Sequence, residues 1–109
     1  MIKPELFDIV ELLVNLPEHN QFIGSQGTIV ECFNDGKYEV EFSNEDGETP
    51  ALCTLSPQQF IVVWQAKTKS WLSISDKLNA VINTLSENKQ QELLNFARFL
   101  HQVTYSEPK

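Results

Sequence analysis

Between Phe33 and Lys37 the chain reads Asn34-Asp35-Gly36, and this triplet constrains the fold more than any other stretch. It separates two runs, residues 27–33 and 37–42, rich in β-branched and aromatic side chains. Gly36 can take the left-handed backbone conformation that closes a three-residue hairpin loop. With Phe33 set opposite Lys37, Val30 falls opposite Val40 and Cys32 opposite Tyr38 on one face. Glu31 then faces Glu39, and Ile29 faces Glu41, on the other. Because side chains alternate along a strand, the first face is expected in the core and the second in solvent.

Strand-like runs continue on both sides of this hairpin. Residues 7–12 form the first, and the excursion Leu16-Pro17-Glu18-His19-Asn20 then reads as a loop, since Pro17 has no backbone donor. A turn over residues 43–48 leads into residues 51–55, and Ser56-Pro57-Gln58-Gln59 makes a tight turn before residues 60–64. Five short strands with one helical turn before the last are the plan of a small SH3-like β-barrel, expected over residues 1–66.

After a polar linker at residues 67–73, the apolar period changes from two to about 3.6. Ser75 is placed to cap a short helix bearing Leu78, Val81, Ile82 and Leu85 on one side. Ser86 is placed to cap a longer one, with Leu93, Phe96, Ala97, Leu100 and Val103 in a stripe and Gln91, Asn95, Arg98 and Gln102 opposite. Leu94 and Phe99 widen that stripe beyond the needs of one contact, which points to a second contact, within the chain or with another copy. The expected class is α+β: a five-stranded barrel followed by a helical pair at residues 74–105, with the last five residues free to fray.

Charge narrows the functional classes. The chain carries a formal net charge of −7. Up to Leu72 eleven carboxylates face four lysines, whereas from Ser73 onward four acids balance four bases, so the whole excess lies on the strand-rich part. Such a body repels a phosphate backbone, and the long helix carries only Lys89 and Arg98 as cations, so nucleic-acid binding is disfavoured. Glu31, Glu39 and Glu41 share the expected solvent face. Like charges directly across a strand pair cost stability, and the same charges suit a docking surface for a basic protein.

The supply of catalytic groups is thin. His19 and His101 share no motif, and there is no Gly-rich phosphate loop, nucleophile elbow or paired His-carboxylate metal motif, so neither an enzyme nor a cofactor site is expected. Cys32 and Cys53 lack a partner at ligand spacing and are expected to be small buried hydrophobes. The longest apolar run, residues 60–64, is far short of the ~20 residues of a membrane span. With no leader-like start, a cytoplasmic protein is expected.

Two stretches resemble known families. Gly27-Thr28-Ile29-Val30-Glu31, Tyr38-Glu39-Val40-Glu41-Phe42 and Ala51-Leu52-Cys53-Thr54-Leu55, with Asp8-Ile9-Val10 and Leu16-Pro17-Glu18, resemble a family of small bacterial SH3-like proteins catalogued as a domain of unknown function. Leu85-Ser86-Glu87, Gln91-Glu92-Leu93-Leu94-Asn95-Phe96 and Phe99-Leu100 resemble a short antitoxin-like helical family, whose pattern has proline where this chain has Ser86. The resemblance implies a barrel and a neutraliser encoded beside a toxin-like partner. The leading expectation is therefore a protein-binding module that docks a basic partner on Glu31, Glu39 and Glu41. The alternative is an accessory subunit, or a homo-oligomer, held through Leu94 and Phe99 of the last helix; nucleic-acid or small-ligand binding at the barrel mouth comes third.

Overall fold

A computed structural model describes residues 2–43 and 50–106; the expected turn at 43–48 and the end of the tail fall largely outside these residues. Six strands form one antiparallel sheet: β1 (Ile9–Leu12), β2 (Gln26–Cys32), β3 (Tyr38–Phe42), β4 (Ala51–Leu55), β5 (Phe60–Gln65) and β6 (Ser70–Trp71), in the order β4-β3-β2-β1-β5-β6. Two helices follow, α1 (Ile74–Ile82) and α2 (Glu87–Ser106). The sheet is open rather than the expected closed five-stranded barrel, because β4 and β6 stand at its two ends instead of pairing. The sixth strand comes from the segment read as a linker: Trp71 pairs with Trp64 and Ser70 with Gln65, and residues 66–69 are the turn between them.

The Asn34-Asp35-Gly36 loop forms as its residues require. Asp35 Oδ1 accepts from the Lys37 N–H at 3.0 Å, the Gly36 N–H donates to the Phe33 carbonyl, and Gly36 takes φ +88°. Cys32 meets Tyr38 and Glu31 meets Glu39 as expected, but one residue further the register slips, and Ile29, not Val30, faces Val40. Val30 is the extra residue of a β-bulge. Ile29 is therefore fully buried and Val30 is 36% exposed, the reverse of the expected order. Cys32 lies on the strand end beyond the bulge and is exposed, which corrects its reading as a core residue, whereas Cys53 is buried as expected.

The core lies on one side of the sheet and is built from Val10, Leu12, Ile29, Tyr38, Val40, Phe42, Cys53, Leu55, Phe60 and Val62. Gly27 is the position where the sheet closes in on itself. A Cβ there would stand 2.7 Å from Val40 Cγ1 and 2.8 Å from the Phe42 ring, so only a residue without a side chain lets them lie across the strand. The run Phe60–Val63 is buried throughout, and α1 packs against this strand.

Local capping explains the remaining boundaries. Pro57–Gln59 forms the expected helical turn, with Ser56 and Gln59 in a reciprocal capping box. Ser73, two residues before the expected cap, accepts from the Asp76 N–H at 3.1 Å and starts α1. Ser86 accepts from the Lys89 N–H at 3.3 Å at the head of α2, as expected.

Candidate functional site

Two surfaces carry the candidate residues. On the outer face of the sheet, the alternation of β3 buries Tyr38, Val40 and Phe42 and turns Glu39 and Glu41 outward. Glu31 lies directly opposite Glu39, while Glu41 lies between Thr28 of β2 and Leu52 of β4. The Thr54 hydroxyl donates to Glu39 Oε1 at 3.4 Å. The two ion pairs among the described residues, Lys67 with Glu5 at 3.6 Å and Lys89 with Glu92 at 3.2 Å, lie elsewhere. The structure thus assembles the expected acidic trio on one face, although Ile29 has left it for the core.

The second surface is α2. Leu94 (45% exposed), Phe96 (57%), Phe99 (55%) and Leu100 (49%) stand on a helix of twenty residues that no strand packs against extensively. The Phe96 and Phe99 rings stack on each other at 6.3 Å. At 100° per residue Leu94 and Phe99 are about 140° apart across the polar side of the helix, so they mark the two margins of an apolar face about 220° wide rather than one contact point. The helix is anchored at its first turns, where Gln90 Nε2 donates to the Ile82 carbonyl at 3.0 Å and to the Leu85 carbonyl at 3.3 Å. The chain is correspondingly elongated, with extents of 50 × 32 × 30 Å and a radius of gyration of 16.3 Å against ~13 Å for a compact chain of this length.

A cleft of about 600 Å³ runs between α1 and the sheet, lined among others by Ile2, Phe60, Val62, Leu72, Asp76 and Ile82. Asp76 is its single ionisable side chain among the described residues, so it offers no acid–base pair. Those residues hold no group of three metal-ligating side chains. His19 and His101 are both exposed, the latter with its ring 4.6 Å from Tyr105. Among the described residues no helix is long and apolar enough to cross a membrane.

One polar residue escaped the sequence reading. Asp8 is 1% exposed, and its carboxylate accepts from the Glu5 N–H at 3.0 Å and from the Ala66 N–H, fifty-eight positions away, at 2.9 Å. It ties the N-terminal turn to the β5–β6 loop. The turn bends through Phe7 at φ +72°, a left-handed conformation uncommon outside glycine. A single aspartate before an apolar run gave no signal of this, because its second partner is remote in sequence.

The family model for a domain of unknown function, DUF4926, matches residues 6–62. The chain belongs to that family. No curated protein and no solved structure matches it. The DUF4926 segment runs from the Asp8 turn into β5 and so contains Gly27, the bulge at Val30 and all three glutamates of the outer face. Leu94 and Phe99 lie beyond it, on an element that the DUF4926 match does not include.

Proposed function

We propose that this chain is a non-enzymatic protein-binding module whose docking element is the apolar face of α2. The observation that carries this reading is the half-exposure of Leu94, Phe96, Phe99 and Leu100 on one helix. Contiguous apolar surface of this kind costs free energy in water unless a partner covers it. The DUF4926 sheet then serves as the body from which α2 projects, in the manner of an accessory subunit of a larger assembly.

The test compares the full chain with its Leu94→Gln/Phe99→Gln variant as bait in affinity purification, with circular dichroism to verify the sheet. Loss of the bound proteins with the sheet intact is expected. Unchanged capture by the variant would remove the helix from the interface.

A second reading is favoured by the pairing of Glu31 with Glu39. Carboxylates set directly opposite each other across a strand pair are destabilising, a cost that a docking face for a basic protein offsets by steering encounter. A neutraliser of a basic, toxin-like protein in the bacterial cytoplasm is its most specific form. Reversing Glu31, Glu39 and Glu41 to lysine should then abolish salt-sensitive capture of a basic partner. Capture that survives the reversal at every salt concentration would exclude this face.

A further inference from the structure

The apolar stripe of α2 has a spacing that reads the same from either end. Leu93, Phe96, Leu100 and Val103 are separated by three, four and three positions, which aligns them along one side of the helix. Turning the helix end for end leaves that pattern unchanged. Two copies laid antiparallel about a two-fold axis at Arg98 set Leu93 of one against Val103 of the other and Phe96 against Leu100. Each contact then occurs twice, as an interface between identical patches requires. Phe99 and Ala97 flank the stripe close to the axis, so Phe99 meets its own counterpart on one margin while Ala97 lets the backbones approach on the other.

We propose that the occupant of this face is a second copy of the same chain, held as an antiparallel α2 pair; the inference rests on the docking role given to α2 above. Area supports it. Phe96, Phe99, Leu100 and Val103 are 57%, 55%, 49% and 36% exposed. At the ~150–250 Å² that a large side chain can bury, these four leave roughly 400 Å² per copy. Covering both copies removes roughly 800 Å², and the stems of flanking side chains bring the pair near the ~1,000 Å² that marks a specific interface.

Charge selects the antiparallel arrangement. The excess of −7 lies wholly before Ser73, and the later part is neutral. Within α2, Lys89 and Glu92 already neutralise each other at 3.2 Å. Antiparallel pairing sends the two acidic bodies to opposite ends of helices ~30 Å long, several times the ~8 Å screening length at physiological salt. Parallel pairing would bring them side by side.

Two measurements on the full chain test this. In sedimentation velocity between 1 and ~200 µM, a reversible monomer–dimer equilibrium in the micromolar range is expected for an interface of this size. Leu100→Glu, at a half-exposed position that the sheet does not need, should raise the dissociation constant at least ~30-fold. Nitroxides placed singly at Gln91, Asn95 and Arg98 in a Cys32→Ser background report the geometry, since Cys53 is only 2% exposed.

The distance between copies should be shortest at Arg98 and lengthen toward Gln91, the axial offset growing ~3 Å per residue. Equal distances at all three positions mean a parallel pair and overturn the proposal. A chain that stays monomeric at ~200 µM overturns it too, and leaves the wider docking reading to its own test with Leu94 and Phe99. A monomer whose α2 amides are protected against its own sheet in hydrogen exchange overturns both.

Discussion

The Tyr38 and Phe60 rings meet edge to face, centroids 5.7 Å apart and planes at 88°, although their strands are separated by two others in the sheet. In a flat sheet three strand spacings of ~4.8 Å would hold β3 and β5 ~14 Å apart. Their contact therefore measures how far the sheet curls over its own core. Replacing Phe60, 2% exposed, by alanine should remove that closure and destabilise the chain by about 3–5 kcal/mol in urea unfolding. A loss under ~1 kcal/mol would mean that the core closes without this pair.

Alkaline pH should weaken the fold through two buried groups. Burial pushes the Tyr38 hydroxyl above its ordinary 10.0, with Cys32 adding to the effect, and burial pushes the Cys53 thiol above 9.0, with Glu18 and Glu39 contributing. Both are neutral when protonated, so the folded chain keeps their protons to higher pH than the unfolded chain does. Their contribution is complete below about pH 9 and is lost as pH rises through 9 and 10 toward the folded-state values. In denaturation midpoints followed from pH 8 to 11, Tyr38→Phe/Cys53→Ala should decline less steeply than the parent chain. Parallel decline would assign the alkaline limb to other groups.

Gly27→Ala is a test of close approach rather than of backbone freedom. Its methyl would press on Val40 and Phe42, both fully buried, and overpacking of this kind costs about 1–3 kcal/mol. At roughly 4–8 °C per kcal/mol for a domain of this size, the melting temperature should fall by ~5–20 °C. An unchanged melting temperature would show that the sheet yields there at no cost.

Asp8→Ala removes the acceptor of two part-buried N–H donors, those of Glu5 and Ala66, and should cost about 1–3 kcal/mol. Asp8→Asn, which keeps one acceptor oxygen, should cost less than half as much. Equal losses for the two variants in thermal unfolding would place the role of Asp8 in its charge instead of its two hydrogen bonds.

The bulge makes neighbouring apolar residues unequal. Ile29→Ala should cost about 2–5 kcal/mol, whereas Val30→Ala should stay within about 0.5 kcal/mol. The opposite order in equilibrium unfolding would restore the unbulged register.

What could be read from the residues was local. The hairpin at Asn34-Asp35-Gly36, the pairing of Glu31 with Glu39, the turn over residues 56–59, the cap at Ser86 and the switch to helical periodicity all rest on contacts between residues close in sequence. The acidic trio was legible for the same reason, lying within one hairpin. Ile29 and Val30 defeated the reading because both are β-branched and apolar, and either satisfies the alternation.

Sequence alone therefore determined where five of the six strands and both helices arise, where the charge lies and which side of α2 is apolar, since each follows from turn chemistry, capping or periodicity within a few residues. Tertiary structure decided that the sheet stays open, that Ile29 rather than Val30 enters the core, that Asp8 is buried and that the α2 stripe is left uncovered. Each of these depends on which distant surfaces meet. Tyr38 on Phe60 and Ala66 on Asp8 form only when the whole chain closes, and burial free energy depends on that closure rather than on the order of neighbours along the chain.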